Sequence, residues 1–101
     1  MSRPISLFQA AGLMQRLRKF APEIDIAEAQ IVLTVAHRPG ILQSELTREM
    51  GSKQSRVSRQ LGALFEEHGY ISINEVSTNR RCNELHLTEK GEALVAALIH
   101  R

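Results

Sequence analysis

The chain has 101 residues, of which 43% are hydrophobic and 24% are charged, and its formal net charge is +2. A chain of this length builds one modest core, which excludes two separate folds, and its composition is that of a globular protein rather than a disordered one. A single cysteine excludes an internal disulfide, and no stretch is apolar for long enough to span a membrane. We therefore expect one soluble, cytoplasmic domain over residues 1–101, with no membrane partner.

The first two predicted elements are helices. Apolar residues at helical spacing predict a helix over about residues 5–20, which ends before Pro22. These apolar residues cover about two thirds of the helix circumference, more than is needed to cover one core. Asp25 followed by Glu28 has the spacing of a capping box, and it predicts the start of a second helix that continues to Pro39-Gly40.

A short third helix is predicted over about Gln43–Met50, with Gly51-Ser52 as the turn and the cap of the next helix. The fourth helix lies within residues 51–70 and has two opposed faces on a helical wheel. Its apolar stripe consists of Val57, Leu61, Leu64 and Phe65, and the opposite side carries Ser55, Arg56, Arg59, Gly62 and Ala63.

The polar face of this fourth helix favours DNA binding. An arginine side chain binds a phosphate or the edge of a guanine through two parallel donors, so two arginines on one face suit a helix that enters a major groove. The alternative interpretation is an exposed polar face that contacts only water.

Alternating apolar and polar residues predict a strand over Tyr70–Val76, and Leu85 and Leu87 repeat the pattern, so the two segments form a hairpin. Its loop, residues 77–81, ends in Arg80-Arg81, and Thr88 caps a final helix over about residues 88–100. The fold class expected is mainly α with a small β-hairpin. It is a winged helix-turn-helix with the order of four helices, hairpin and a fifth helix.

Five segments of the chain resemble the MarR family of winged-helix transcriptional regulators, and together they cover about residues 26–92 in colinear order. They are residues 39–46 before and within the third helix, 55–61 in the fourth, 66–71 after it, 79–81 at the wing tip and 87–91 at the start of the last helix. The chain differs from the family in having Asn79-Arg80 where Asp-Arg is usual. It also has Leu42 where a Ser or Thr cap is common, so that the cap is weakened or moves to Ser44.

The resemblance implies a sequence-specific, dimeric DNA-binding transcriptional regulator that acts as a repressor on double-stranded DNA. The recognition helix, about residues 53–67, would enter the major groove, and the wing, residues 77–81, would enter the minor groove. The DNA-binding residues expected are Ser44, Thr47, Lys53, Ser55, Arg56, Ser58, Arg59, Asn79, Arg80 and Arg81. Two alternatives remain open, a winged-helix module that binds a protein and an accessory factor of replication or partition.

Both terminal helices carry more apolar surface than one small core covers, which favours a homodimer built from residues 5–20 and 88–100. Family members usually continue into longer C-terminal helices, so a dimer here would use less surface. The dimerisation residues predicted are Leu7, Phe8, Leu13, Met14, Leu17, Leu94, Val95, Leu98 and Ile99. The alternative is a monomer whose terminal helices pack only on each other.

No nucleophile with a base, paired carboxylates, phosphate loop or dinucleotide motif is found in the sequence, so we do not expect an enzyme. His37, His68, His86 and Cys82 lack zinc-finger spacing, and no metal or other cofactor is expected. Cys82 is interpreted as a small strand residue rather than a redox sensor, because the chain has no second cysteine to resolve a sulfenic acid. A small-molecule effector is typical of the MarR family, but no residue of this chain specifically predicts one.

Overall fold

A computed structural model of the chain describes residues 4–100, with Arg80 described by its backbone alone. The elements in chain order are α1 (Leu7–Phe20), α2 (Ile26–His37), β1 (Ile41–Leu42), α3 (Gln43–Met50), α4 (Gln54–Gly62), a π-helical turn (Ala63–Glu67), β2 (Ile71–Asn74), a 3₁₀ turn (Arg80–Cys82), β3 (Glu84–Leu87) and α5 (Glu89–Ile99). Within residues 4–100, the helices are all too short or too polar to cross a membrane.

Capping boxes define the starts of the first two helices. At α2, the backbone N–H of Glu28 donates to Asp25 Oδ1 at 2.8 Å, and the N–H of Asp25 donates to Glu28 Oε1 at 2.9 Å. Ser6 and Gln9 form the same reciprocal pair at α1. Each box satisfies two backbone donors that the helix leaves without partners, so the start predicted for α2 is confirmed.

Two other helix starts differ from the sequence prediction. The N-cap of α4 is Lys53 rather than Ser52. The helix α3 begins directly after Leu42, so the cap has not moved to Ser44. The N–H of Leu42 donates to Glu45 Oε1 at 2.9 Å, which is the half of a capping box that does not need an oxygen in the side chain of the cap.

The strands form a three-stranded antiparallel sheet in the order β1-β3-β2. The pairing of β2 with β3 runs from Ile71 opposite Leu87 to Asn74 opposite Glu84, which confirms the predicted hairpin. The strand β1 was not predicted, because a two-residue strand is too short to show an alternating pattern. It joins the connection between α2 and α3 to the end of β3 that follows the wing loop.

The core lies where α2, α3 and α4 meet the sheet and α5. Its largest fully buried side chains are Ile31, Val32, Val35, Leu46, Val57, Leu61, Leu64, Ile71, Leu85 and Leu98. Burying one such side chain stabilises a fold by about 1.5–3 kcal/mol. Phe65 was predicted to belong to this set but is 46% exposed, because it lies at the edge of the apolar stripe, about 80° from Val57 on a helical wheel.

The first turn of α5 packs closely against residues 68–70. A Cβ atom at Gly91 would overlap the carbonyl oxygen of Tyr70 and would lie 3.1 Å from its carbonyl carbon. The Thr88 hydroxyl donates to Gly69 O at 2.5 Å, and Lys90 Nζ donates to the carbonyl oxygen of His68 at 2.8 Å. The start of α5 is therefore fixed to the segment that follows the π-helical turn.

Tyr70 connects this segment to the loop between α1 and α2. Its side chain is 4% exposed, and its hydroxyl donates to Glu23 Oε1 at 2.6 Å. This hydrogen bond lowers the pKa of Glu23 below its ordinary value. Burial, together with the hydrogen bond to the carboxylate, raises the pKa of Tyr70 to about 12.

We expect Tyr70→Phe to lower the free energy of unfolding by about 1 kcal/mol at pH 7, because it removes a hydrogen bond to a charged but largely exposed carboxylate. Since the pKa of Glu23 is lowered in the folded state, this stability is present above the ordinary value of 4.5 and is lost as the pH falls through the folded-state value. Urea unfolding between pH 7 and pH 3 measures both effects, with Glu23→Gln as the companion variant. If the difference in unfolding free energy between Tyr70→Phe and the unsubstituted protein stays constant below pH 4.5, this assignment is contradicted.

Candidate nucleic-acid interface

The helices α3 and α4 are joined by a turn at Gly51. This residue has a φ of +63°, a left-handed backbone conformation that ends α3 and that side chains other than glycine adopt at a cost. Two short helices joined by a tight turn and followed by a hairpin form a winged helix-turn-helix, as predicted.

The two predicted faces of α4 are present in the structure. Val57 and Leu61 are buried in the core, whereas Ser55, Arg56 and Arg59 are exposed. Residues 51–65 contain three basic residues and no acidic one, so the exposed face is positively charged. The packing of the apolar stripe thus holds the arginines on the solvent side of the helix.

The basic side chains of this face border a groove at the start of α4. It has a volume of about 520 Å³ and is lined by Gly51, Ser52, Lys53, Ser55, Arg56 and Arg59. Among residues 4–100, the ion pairs shorter than 4.0 Å are made by Arg38 and His86, and neither arginine of α4 takes part in them. Their guanidinium donors therefore face solvent and can bind a phosphate or the edge of a guanine.

The hydroxyl residues predicted for DNA binding are less accessible. Ser44, Thr47 and Ser58 are each half-buried. Thr47 Oγ1 donates its proton to Gln43 O at 2.8 Å, so a contact to phosphate requires this hydroxyl to rotate. The exposed basic side chains, rather than these hydroxyls, dominate the surface of the motif.

The wing tip is ordered by the side chain of Asn79. Asn79 Oδ1 accepts a hydrogen bond from the N–H of Arg81 at 3.0 Å, and the Asn79 carbonyl accepts one from Cys82 at 3.0 Å. The amide thus supports the backbone of the 3₁₀ turn, and Asn79 and Arg81 are exposed. The side chain of Arg80, predicted to enter a minor groove, lies outside the described part of the chain.

Two buried polar residues at the base of the wing were not predicted. Gln43 is 3% exposed and Asn83 is 5% exposed, and the N–H of Gln43 donates to Asn83 O at 2.9 Å. The 3₁₀ turn also packs against α3. These contacts join the wing to the helix-turn-helix. No sequence pattern marked them, because an isolated Asn or Gln resembles an ordinary surface residue.

No family model matches the chain, and a comparison with curated proteins also finds no match. The fold, however, matches solved structures closely. A transcriptional regulator from Thermotoga maritima superposes with a TM-score of 0.78 at 26% identity, covering 93% of this chain and 64% of that one. A structure described as MarR superposes with a TM-score of 0.70 at 26% identity, covering 88% of this chain and 63% of that one. This chain has the MarR-family fold.

The MarR resemblance and the winged-helix fold inferred from the sequence are therefore confirmed. The neighbours are transcription regulators, a class without enzymatic activity, which agrees with the expectation that the chain is not an enzyme. Another is Streptococcus pneumoniae FabT in complex with DNA, with a TM-score of 0.68 at 24% identity, covering 87% of this chain and 63% of FabT. The chain spans less than two thirds of the length of these three structures.

The residues predicted for dimerisation divide into three groups in this MarR-type structure. Leu17, Leu94 and Leu98 are buried in the core of a single chain, which corrects the prediction that they form a contact surface. The reason is that α1 packs directly on α5, where Arg16 Nε donates to the carbonyl oxygen of Leu98 at 2.6 Å. The exposed group is Leu7, Phe8, Met14 and Ile99, and Leu13 and Val95 are half-buried.

Proposed function

We propose that this chain is a sequence-specific DNA-binding transcriptional regulator with α4 as its recognition helix. The observation that carries the proposal is the exposure of Arg56 and Arg59 on the side of α4 opposite its buried stripe, with a third exposed basic residue, Lys53, at the N-cap. An α-helix fits the major groove, where an arginine distinguishes guanine from the other bases by two hydrogen bonds. We further propose that it acts as a repressor, which blocks a promoter by occupying a pseudo-palindromic operator.

The wing is proposed to contact the minor groove beside the recognition site. Arg81 is exposed on the 3₁₀ turn, whose backbone is fixed by Asn79. A narrow A·T-rich minor groove has a strongly negative potential that attracts a guanidinium group. We assign Arg81 to affinity and the arginines of α4 to base selection.

A homodimer is part of the same proposal. Leu7 and Phe8 on α1 are 90% and 85% exposed, and Ile99 on α5 is 60% exposed. A groove of about 490 Å³ lies between these two helices, and apolar residues form most of its lining. Contiguous apolar surface of this kind marks an interface, and a two-fold dimer would present two recognition helices to neighbouring turns of a pseudo-palindromic operator.

Selection of bound fragments from a pool of random duplexes tests this function directly. We expect enrichment of one sequence, and we expect Arg59→Ala to weaken binding to it by about 1–3 kcal/mol while relaxing base preference. Arg81→Ala should lower affinity for all sequences evenly. It should also reduce the slope of the logarithm of the binding constant against the logarithm of salt concentration by about one unit. Arg18→Ala, which removes an exposed arginine from α1, is the matched control.

Two results would argue against this assignment. If the selection enriches no sequence, the chain does not read DNA bases. If both Arg59→Ala and Arg81→Ala bind the enriched site as tightly as the original chain, the interface lies elsewhere on the molecule.

A further inference from the structure

The arginines of α4 also border a second groove, which contains acidic residues. This groove has a volume of about 400 Å³ and is lined by Asp25, Ala27, Glu28, Arg56, Arg59, Gln60 and Ala63. The start of α2 thus brings two carboxylates to the edge of the positively charged face. We call this surface the mixed-charge groove.

The oxygens of the mixed-charge groove are held in place. One oxygen of Asp25 and one of Glu28 accept the backbone hydrogen bonds of the α2 capping box, at 2.8 and 2.9 Å. These hydrogen bonds hold both side chains in a fixed position. The groove thus places two carboxylates beside the arginines, and the oxygens of a carboxylate are acceptors that disfavour the oxygens of a phosphate group.

We propose that Asp25 and Glu28 are specificity-determining residues that exclude DNA phosphates from the mixed-charge groove. This inference rests on the proposed DNA-binding function. Arg56 and Arg59 alone would bind any phosphate, whatever the neighbouring sequence. The two carboxylates repel a backbone phosphate that approaches the arginines from the side of α2. They therefore lower the affinity of complexes in which the DNA is bound in an incorrect register.

The physical range of this repulsion matches the size of the groove. Charges on the surface act over about 8–10 Å at physiological ionic strength, and the residues that line one groove of about 400 Å³ lie within such a range of a phosphate bound there. A complex with random DNA is held by phosphate contacts and can shift among registers, whereas a specific complex is held in one register by base contacts. The repulsion therefore lowers affinity mainly for random DNA. Specificity rises because binding of the competing sequences is weakened.

Two substitutions remove the charges while keeping the helix cap. Asp25→Ser retains a side-chain oxygen for the N–H of residue 28, and Glu28→Gln retains an acceptor for the N–H of residue 25. Each is expected to raise affinity for a random-sequence duplex about two- to threefold at low salt, and the double variant about sixfold. Affinity for the selected site should rise less, so the ratio of the two affinities falls.

Glu92→Gln is the matched control, because it removes one exposed carboxylate from α5, in a groove without either arginine of α4. It should leave the ratio unchanged, and thermal unfolding of every variant confirms that the cap is intact. An unchanged ratio in the double variant, or an equal change in Glu92→Gln, overturns the inference alone. If the unsubstituted protein binds the selected and random duplexes equally weakly, both the proposed function and this inference are overturned.

Discussion

Gly91→Ala is expected to lower the free energy of unfolding by about 3 kcal/mol, because the new Cβ atom has no space. It would overlap the carbonyl oxygen of Tyr70 and lie 3.3 Å from Leu87 Cδ2. The carbonyl oxygen cannot move away easily, since it is a backbone atom that accepts the N–H of Thr88 at 3.1 Å. Relief of the overlap requires α5 to move away from residues 68–70, which breaks the hydrogen bonds at its first turn.

Thermal unfolding measures this effect, and the midpoint should fall by roughly 12–24 °C for a domain of this size. Gly62→Ala is the control, because Gly62 has a helical φ of −58° and a Cβ atom there would meet no other element of the described chain within 4 Å. Alanine there should stabilise the chain by about 0.5–1 kcal/mol through its better helix propensity. Equal midpoints for the two alanine variants would show that the close approach at Gly91 has no energetic importance.

Phe8→Glu is expected to convert the proposed dimer into a monomer and to lower affinity for a two-half-site operator by about 100-fold or more. A carboxylate in an apolar interface loses its hydration without gaining a partner, and a monomer loses the gain in affinity that comes from linking two binding sites. Since Phe8 is 85% exposed in the single chain, its replacement should leave the core intact. Light scattering at micromolar concentration and binding to full and half operators measure the two effects.

Phe8→Leu is the matched control and should remain dimeric, because it keeps an apolar side chain at the same position. Affinity for an isolated half-site should be equal in all three proteins. An original chain that has the mass of a monomer contradicts the dimer, and an equal loss of half-site affinity in Phe8→Glu would point to a folding defect. Leu98→Glu is unsuited to this test, since Leu98 is fully buried and a charge there would disrupt the core.

Features that depend on neighbouring residues were predictable from the sequence. The capping box of Asp25 and Glu28 indicated the start of α2, and the spacing of Val57 and Leu61 indicated which side of α4 is buried. Both depend on contacts within one or two helical turns. The resemblance to the MarR family added the order of the elements, which the solved structures confirm.

Features that depend on distant segments were not predictable. The apolar breadth of α1 and α5 did not indicate that Leu17, Leu94 and Leu98 pack inside one chain, because a helical wheel does not identify the partner of each side. Phe65 lies at the edge of the apolar stripe, and a helical wheel does not show whether a distant segment covers that edge. The mixed-charge groove joins segments that are about 30 residues apart, so the neighbourhood of Asp25 and Arg56 appears only in the folded chain.

The close packing of α5 on residues 68–70 also has a mechanical consequence. Because the Gly91 backbone, the Thr88 hydroxyl and the Lys90 ammonium all contact this segment, we expect α5 to move together with residues 68–70, which follow the π-helical turn. In a dimer that forms through α1 and α5, the angle between the terminal helices would therefore set the distance between the two recognition helices. Both helices can bind only if this distance matches one turn of DNA or a multiple of it.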